Sequence, residues 1–205
     1  MHAHNTSIFK WNGVTKCLDL FTGWEVQQAA EILANEYNIF DPLMSTMDWW
    51  GQKKNEAIAG DLGFDNMTII KERFKNEKNK VEKITLTKQI GWRDILLHDD
   101  ILDTGWSFET VLNTMWDPTS LHWTPKSVNA VITWWLFNGL AIETLTKLHN
   151  EGKFNTIFIT NAVYRESYPP FVRVFNAAPN FAEVIEAVFT NRGINFNKWV
   201  NHHIT

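Results

Sequence analysis

An α/β fold, with a doubly wound, mostly parallel sheet flanked by helices, is what this sequence predicts. Three observations carry that expectation. Short apolar runs alternate along the chain with segments whose apolar residues recur at three and four positions, the mark of strands alternating with helices. One run, Ile95-Leu-Leu-His98, ends in the acids Asp99 and Asp100 and leads through Asp103-Thr-Gly-Trp-Ser107 into a helix. In α/β sheets, ligands sit outside the C-terminal ends of the strands, at turns of this kind. The composition, 44% hydrophobic and 20% charged over 205 residues, suits a packed core rather than a disordered chain.

Near the start, Ile8-Phe9 and Val14 to Leu20 suit short strands. A helix is expected from Trp24 to Tyr37, where Val26, Ala29, Ala30, Leu33, Ala34 and Tyr37 recur at helical spacing. Ile39 to Met47 is the next strand, its start weakened by Pro42, with Asp48 at its C-terminal end. A helix from Gln52 to Leu62 stops at Gly63. Asn66 to Ile70 is strand-like, and the charged, glycine-free run from Lys71 to Lys80 suits a solvated loop or helix face. Val81 to Leu86 is a hairpin strand, and Lys88 to Trp92 a turn.

After the acidic turn, Phe108 to Met115 is the expected helix, with Ser107 able to open it. Asp117 to Lys126, with its two prolines, is an inserted loop. Val128 to Thr133 is a compact strand, and Gly139 to His149 a helix that ends near Gly152. Phe154 to Thr160 and Phe171 to Phe175 are strands separated by Pro169-Pro170. Pro179 to Asn191 is a closing helix with Phe181, Val184, Ile185 and Val188 on one face. There is no internal repeat or low-complexity linker, so residues 1–205 are expected to form a single domain.

A net charge of −4 gives no reason to expect a nucleic-acid surface. It also means that a phosphate site must be built locally, from loop amides, Lys, Arg and metal. The one cysteine, Cys17, rules out an internal disulfide and fits a reducing compartment. No apolar run reaches the length of a membrane span, and Met1-His-Ala-His-Asn5 lacks the charged-then-apolar pattern of a signal peptide. The expected localisation is cytoplasmic.

The turn's chemistry follows from its residue types. A helix N-terminus offers free N–H groups and partial positive charge to a phosphate. Adjacent carboxylates suit ribose hydroxyls, or a magnesium ion bridging to phosphates. An apolar strand, Asp99-Asp100, two apolar residues and Asp103-Thr104-Gly105-Trp106-Ser107 resembles the phosphoribosyl-diphosphate loop of the type I phosphoribosyltransferase fold.

Five further segments are similar to one family, the ribose-phosphate diphosphokinases, in its C-terminal, phosphoribosyltransferase-like portion. Met1-His-Ala-His4 is similar to its Asp-x-His metal segment, and Ser45-Thr-Met-Asp48-Trp-Trp-Gly51-Gln-Lys53-Lys54 to Ser-Pro-Asp-x-Gly-Gly-x-Lys-Arg. Ile69-Ile-Lys71-Glu-Arg73 is similar to the Lys-x-Arg start of the catalytic loop. Thr133-Trp-Trp-Leu-Phe137-Asn-Gly139 is similar to Thr-His-Gly-x-Phe-x-Gly, and Ile159-Thr160-Asn161 to Val-Thr-Asn.

The resemblance implies transfer of the β,γ-diphosphoryl group of ATP to the 1-hydroxyl of ribose 5-phosphate, in nucleotide biosynthesis. It makes Lys71 and Arg73 catalytic cations. It gives Asp103, Thr104, Gly105, Trp106 and Ser107 the 5-phosphate, Asp99 the ribose hydroxyls, with Asp100 assisting through those hydroxyls or through magnesium, and His4 and Asp48 the Mg2+ ion. The family carries an ATP-binding domain before the Asp-x-His segment. The expectation here is that this domain is absent, and that a homo-oligomer or a partner chain completes the nucleotide site.

Tryptophans depart from the family pattern. Trp106 stands where a small residue is common: strained if its φ is positive, turned outward if negative. Trp49 and Trp50 occupy a turn where close backbone approach is usual. Trp134 and Trp135 replace His-Gly, either stacking on a base or larger substrate or filling the pocket. A related phage-type class diphosphorylates ADP-ribose, and an aromatic-rich pocket is compatible with that larger ester. Two other functions compete. A non-catalytic phosphoribosyl-binding regulatory or partner subunit would bind the ester without releasing AMP. A phosphoribosyltransferase would consume the diphosphate, but the Lys71-x-Arg73 segment and the Asp-x-His-like start argue against it.

Overall fold

The computed structural model describes residues 23–47, 51–73, 81–119 and 122–190. The strands expected at Ile8-Phe9 and Val14 to Leu20, and the metal candidates His4 and Asp48, lie outside the described residues, as do Trp49 and Trp50. The elements run α1 (Gly23–Tyr37), β1 (Leu43–Thr46), α2 (Gln52–Leu62), β2 (Asn66–Met67), β3 (Ile69–Arg73), β4 (Val81–Leu86), β5 (Asp94–Leu102), α3 (Trp106–Met115), β6 (Ser127–Trp135), α4 (Ala141–Asn150), β7 (Ile157–Thr160), β8 (Val172–Phe175) and α5 (Ala178–Phe189).

Among the described residues, six strands form one sheet in the order β2-β1-β5-β6-β7-β8, with every neighbouring pair parallel. β3 and β4 pair antiparallel as a separate hairpin. Parallel strands covered on both faces need apolar residues on both, which is why Ile95-Leu-Leu is a continuous run rather than an alternating one. Leu96 packs on one face with Val26, Ala29 and Leu33 of α1, Ile58 and Ala59 of α2, and Val131 and Phe158. Ile95 and Leu97 pack on the other with Phe108, Val111 and Leu112 of α3, Leu145 and Leu148 of α4, and Ile69 and Leu86 of the hairpin. Burying a side chain such as Phe108 contributes roughly 1.5–3 kcal/mol.

Several boundaries differ from expectation, each for a local reason. The single strand expected at Asn66 to Ile70 is two. Met67 stays in the main sheet, and Ile69 opens the hairpin. Thr68 between them is bound by Thr87, whose Oγ1 accepts from the Thr68 N–H at 3.0 Å and donates to Thr68 O at 3.1 Å. The charge run starts not as a loop but as strand, with Lys71 opposite Ile84. β5 does not end at His98; it carries on through both acids to Leu102, because Leu102 and Trp135 pair across β5 and β6 and are both buried. β6 accordingly runs past Thr133 to Trp135. α4 starts after Gly139, whose φ of 59° is left-handed rather than helical. α2 spans the expected residues, closed by Gly63 at φ 73° with its N–H donating to Gly60 O. Among the described residues, no helix is long and apolar enough to cross a membrane.

Candidate functional site

Strand order reverses direction between β1 and β5. From β1 the chain steps outward to β2, and from β5 it steps the other way to β6, β7 and β8. A crevice outside the C-terminal ends of the strands at such a switch is where open α/β sheets bind ligands. The end of β5 and the turn into α3 lie at that point.

The turn depends on Gly105. Its φ is 80°, a conformation that only glycine adopts without cost. An added Cβ would meet Leu145 Cγ at 3.8 Å and Ala141 Cα at 3.9 Å, ordinary contacts, so backbone conformation rather than space selects glycine. Gly105 is the N-cap of α3, and no side chain caps the helix. Ser107 is therefore the second helical residue and not the cap expected of it. The first amides of α3 are offered to whatever lies beyond the strand ends. Trp106 is not among the positive-φ residues and is 52% exposed, so the indole lies outward and leaves the turn open.

The rest of the turn is held by the neighbouring connection. Leu136 N–H donates to Leu102 O at 2.9 Å, and Asn138 N–H donates to Asp103 O at 3.3 Å. Asn138 Nδ2 donates to Asp103 Oδ1 at 2.6 Å. Asp103 and Thr104 are exposed, while Asp99 and Asp100 are half-buried. Asp99 Oδ1 accepts from the Asp100 N–H at 2.9 Å, which fixes the carboxylate at the strand end. Half-exposed carboxylates of this kind fit magnesium, which is usually held by one or two acids together with substrate phosphates. Among the described residues, no group of three or more His, Cys, Asp or Glu is assembled for a metal.

The two tryptophans after Thr133 part company. Trp135 is 1% exposed and stacks on Phe137, ring centres 3.8 Å apart and 4° from coplanar, so it fills the core. Trp134 is half-buried.

Lys71 and Arg73 sit elsewhere than the turn. Lys71 is half-buried in β3 and lines a cleft of about 910 Å3 between α2, β2 and the hairpin, to which Asp99 to Ser107 do not contribute. Arg73 is the last residue of β3, opposite Val81, after an irregularity at Glu72/Arg73. The structure thus gathers Asp99 through Ser107 at one strand end and places Lys71 on a separate hairpin.

No family model matches the chain. It is 26% identical over 155 residues to the ribose-phosphate pyrophosphokinase of Wolinella succinogenes, covering 76% of this chain and 47% of that protein. It is 26% identical over 171 residues to the one from Mycoplasma pneumoniae, covering 80% and 50%. The chain is similar in sequence to ribose-phosphate pyrophosphokinases. It spans about half the length of the curated relatives it matches. Its structure is similar to the phosphoribosylpyrophosphate synthetase of Mycobacterium smegmatis, with a TM-score of 0.62 at 21% identity over 80% of this chain and 50% of that one. That likeness is one of fold, a mostly parallel α/β sheet flanked by helices.

Two polar features of the chain carry no sequence motif. Glu25, in the first turn of α1, is 2% exposed and accepts a 2.9 Å hydrogen bond from Thr133 Oγ1. Burial pushes its carboxyl up to about 8, against the Thr133 hydrogen bond and the charge of Lys54, which pull it down. Asp65, before β2, is gripped by Lys88 and by Arg93 Nη1 at 2.6 Å, and these bonds hold its carboxyl down at about 2. Neither is announced by a motif. A lone acid two residues into α1 and an acid far in sequence from its cations look like surface charges.

Proposed function

We propose that this chain binds a ribose-phosphate ester at the Asp103–Ser107 turn and takes part in transferring the diphosphoryl group of ATP to its 1-hydroxyl. Ribose 5-phosphate is the first substrate, with a larger ester such as ADP-ribose as the alternative, and nucleotide biosynthesis is the setting. One observation carries the reading: an acidic strand end running through a left-handed Gly105 into an uncapped helix N-terminus, at the sheet's switch point, with the Trp106 indole turned out of the way. The relationship to ribose-phosphate pyrophosphokinases supports it.

On this reading the amides of Trp106 and Ser107, with the Thr104 and Ser107 hydroxyls, hold the phosphate. Asp99 and Asp100 orient the ribose, so that the 1-hydroxyl faces the nucleotide. The attacked phosphorus is crowded by anionic oxygens, so the protein's task is in-line placement and charge stabilisation. Lys71 and Arg73 supply cations to the bridging and leaving oxygens when their hairpin approaches the turn. Magnesium, when bound, neutralises the nucleotide phosphates, with Asp100, His4 and Asp48 as its protein partners. A homo-oligomer or partner chain contributes the remainder of the ATP site, and the setting is cytoplasmic.

The test is release of AMP from ATP, with ribose 5-phosphate and ADP-ribose side by side, with and without magnesium. The reading expects release that requires both sugar ester and magnesium and is abolished by Lys71→Ala. Tight ester binding with no AMP formed under any of these conditions would instead make the chain a phosphoribosyl-binding subunit.

A further inference from the structure

Arg165 belongs to none of the sequence motifs, and we propose that its guanidinium is a second anchor for the phosphate group of the ester seated on the Asp103–Ser107 turn, an inference that rests on the ester-binding reading of that turn. Arg165 lies on the connection between β7 and β8 and is half-buried. Its Nη2 donates to Leu136 O at 2.6 Å, and its Cζ lies 4.4 Å from the centre of the Phe137 ring. The same short segment is stitched to the turn at two points. Leu136 N–H donates to Leu102 O, and Asn138 holds both the backbone and the carboxylate of Asp103. The guanidinium is therefore fixed against the segment that holds the turn's first residue.

Its support is closed on itself. Tyr168 Oη donates to Val163 O at 3.3 Å, and the Tyr168 ring lies 6.0 Å from that of Phe137. At the start of the connection, Asn161 Nδ2 donates to Asn176 Oδ1, and Asn161 Oδ1 accepts from the Ala177 N–H. An arginine held by a carbonyl and an aromatic face has lost much of its freedom before any ligand arrives, which lowers the cost of using its other donors.

Those donors are available. A guanidinium carries five N–H groups, and Leu136 O is the acceptor of one. Among the described residues no carboxylate forms an ion pair with Arg165, although Glu166 is its neighbour in sequence. The strand end next to the turn carries Asp99 and Asp100, and the turn opens with Asp103. A planar fork matched to two phosphate oxygens would add a cation to the backbone amides that the turn offers. The ligand class is a phosphate monoester of a pentose, or the corresponding phosphoryl group of a larger ester.

The alternative is that Arg165 only staples the Leu136 loop. Calorimetric titration of ribose 5-phosphate into the full chain, repeated across the second ionisation of the phosphate near about pH 6, separates the two. A direct contact predicts that Arg165→Gln weakens binding about ten-fold or more and flattens the gain in affinity as the ester becomes a dianion. Arg165→Lys should keep part of both. Tyr168→Phe, which loosens the same support without removing charge, should do much less, and thermal melting checks that each variant folds. If Arg165→Gln fails to fold, Arg165→Lys carries the pH comparison. An unchanged affinity and pH profile, or an equal loss in Tyr168→Phe, would overturn the proposal. Ser107→Ala and Thr104→Val test the turn separately. Should they weaken binding while the Arg165 variants do not, the turn reading survives and the Arg165 proposal falls. If the wild-type chain itself does not bind the ester, both fall.

Discussion

Thr133 Oγ1 donates a 2.9 Å hydrogen bond to Glu25 Oε2 in a place where Glu25 is 2% exposed, joining the first turn of α1 to the C-terminal part of β6. The carboxyl's ordinary value is 4.5 and burial raises it to about 8. The folded protein thus keeps a proton that the unfolded chain releases. Stability from this group is fully present below the unfolded value, falls as pH rises from about 4.5 to about 8, and is level above that. Urea unfolding across this range should show wild-type stability declining with a slope of up to about 1.4 kcal/mol per pH unit. Glu25→Gln should remove most of that slope and be the more stable form above its upper end. Thr133→Val should cost about 1–2 kcal/mol, because it strips a buried group of its partner. A wild-type curve flat across the window would contradict this account.

Gly105→Ala tests the turn through its backbone. The added methyl finds only ordinary contacts at 3.8 and 3.9 Å, but φ of 80° is unfavourable for any residue with a Cβ. We expect a loss of about 1–2 kcal/mol in denaturant unfolding, together with weaker ribose 5-phosphate binding as the first amides of α3 are re-aimed. Gly60→Ala, in helix α2 with open space around it and no positive φ, is the control and should not destabilise.

The pattern of apolar runs made the sheet legible, since a parallel strand buried on both faces writes its whole length in Ile, Leu and Val. Where an acid or an indole continues a strand, the pattern stops before the strand does. Asp99 and Asp100 stay in β5 because Leu102 beyond them pairs with Trp135, a long-range contact that no local window contains. The glycine at 105 and the acids before it were visible because their chemistry demands those residue types in that order. Ser107 lies inside the helix rather than at its cap, since its hydroxyl would cap the helix only if the helix began at Phe108, two residues later than it does. Arg165 and Glu25 were invisible for another reason. What gives them meaning is a partner 29 and 108 positions away.

Asp65 offers the opposite pH dependence to Glu25. Its hydrogen bonds to Lys88 and Arg93 lower its carboxyl from 3.8 to about 2, so the contribution is present above the unfolded value and lost as pH falls towards the folded one. The side chain is 40% exposed, so solvent screening keeps this small, under about 1 kcal/mol at neutral pH. Asp65→Asn should lower stability by about that amount near neutrality and converge on wild type in strong acid. High salt should shrink the difference. A gap that persists in strong acid would mean that the side chain acts through packing rather than charge.

Trp106 and Trp135 are the same residue type in opposite circumstances, and their truncations should separate cleanly. Trp135 is 1% exposed, stacked on Phe137 and 6.3 Å from the Phe171 ring. Trp135→Ala opens a cavity in a packed aromatic cluster and should cost about 3–5 kcal/mol, enough to lower the melting temperature by many degrees. Trp106, 52% exposed on the first turn of α3, touches the core little, so Trp106→Ala should change stability by about 0.5 kcal/mol or less. Because the indole lies outward and only the backbone amide of this residue is assigned to the ester, ribose 5-phosphate should bind Trp106→Ala about as well as wild type in calorimetric titration. A large stability loss in Trp106→Ala would show the indole packed inward and the turn closed, and the ester site would go with it.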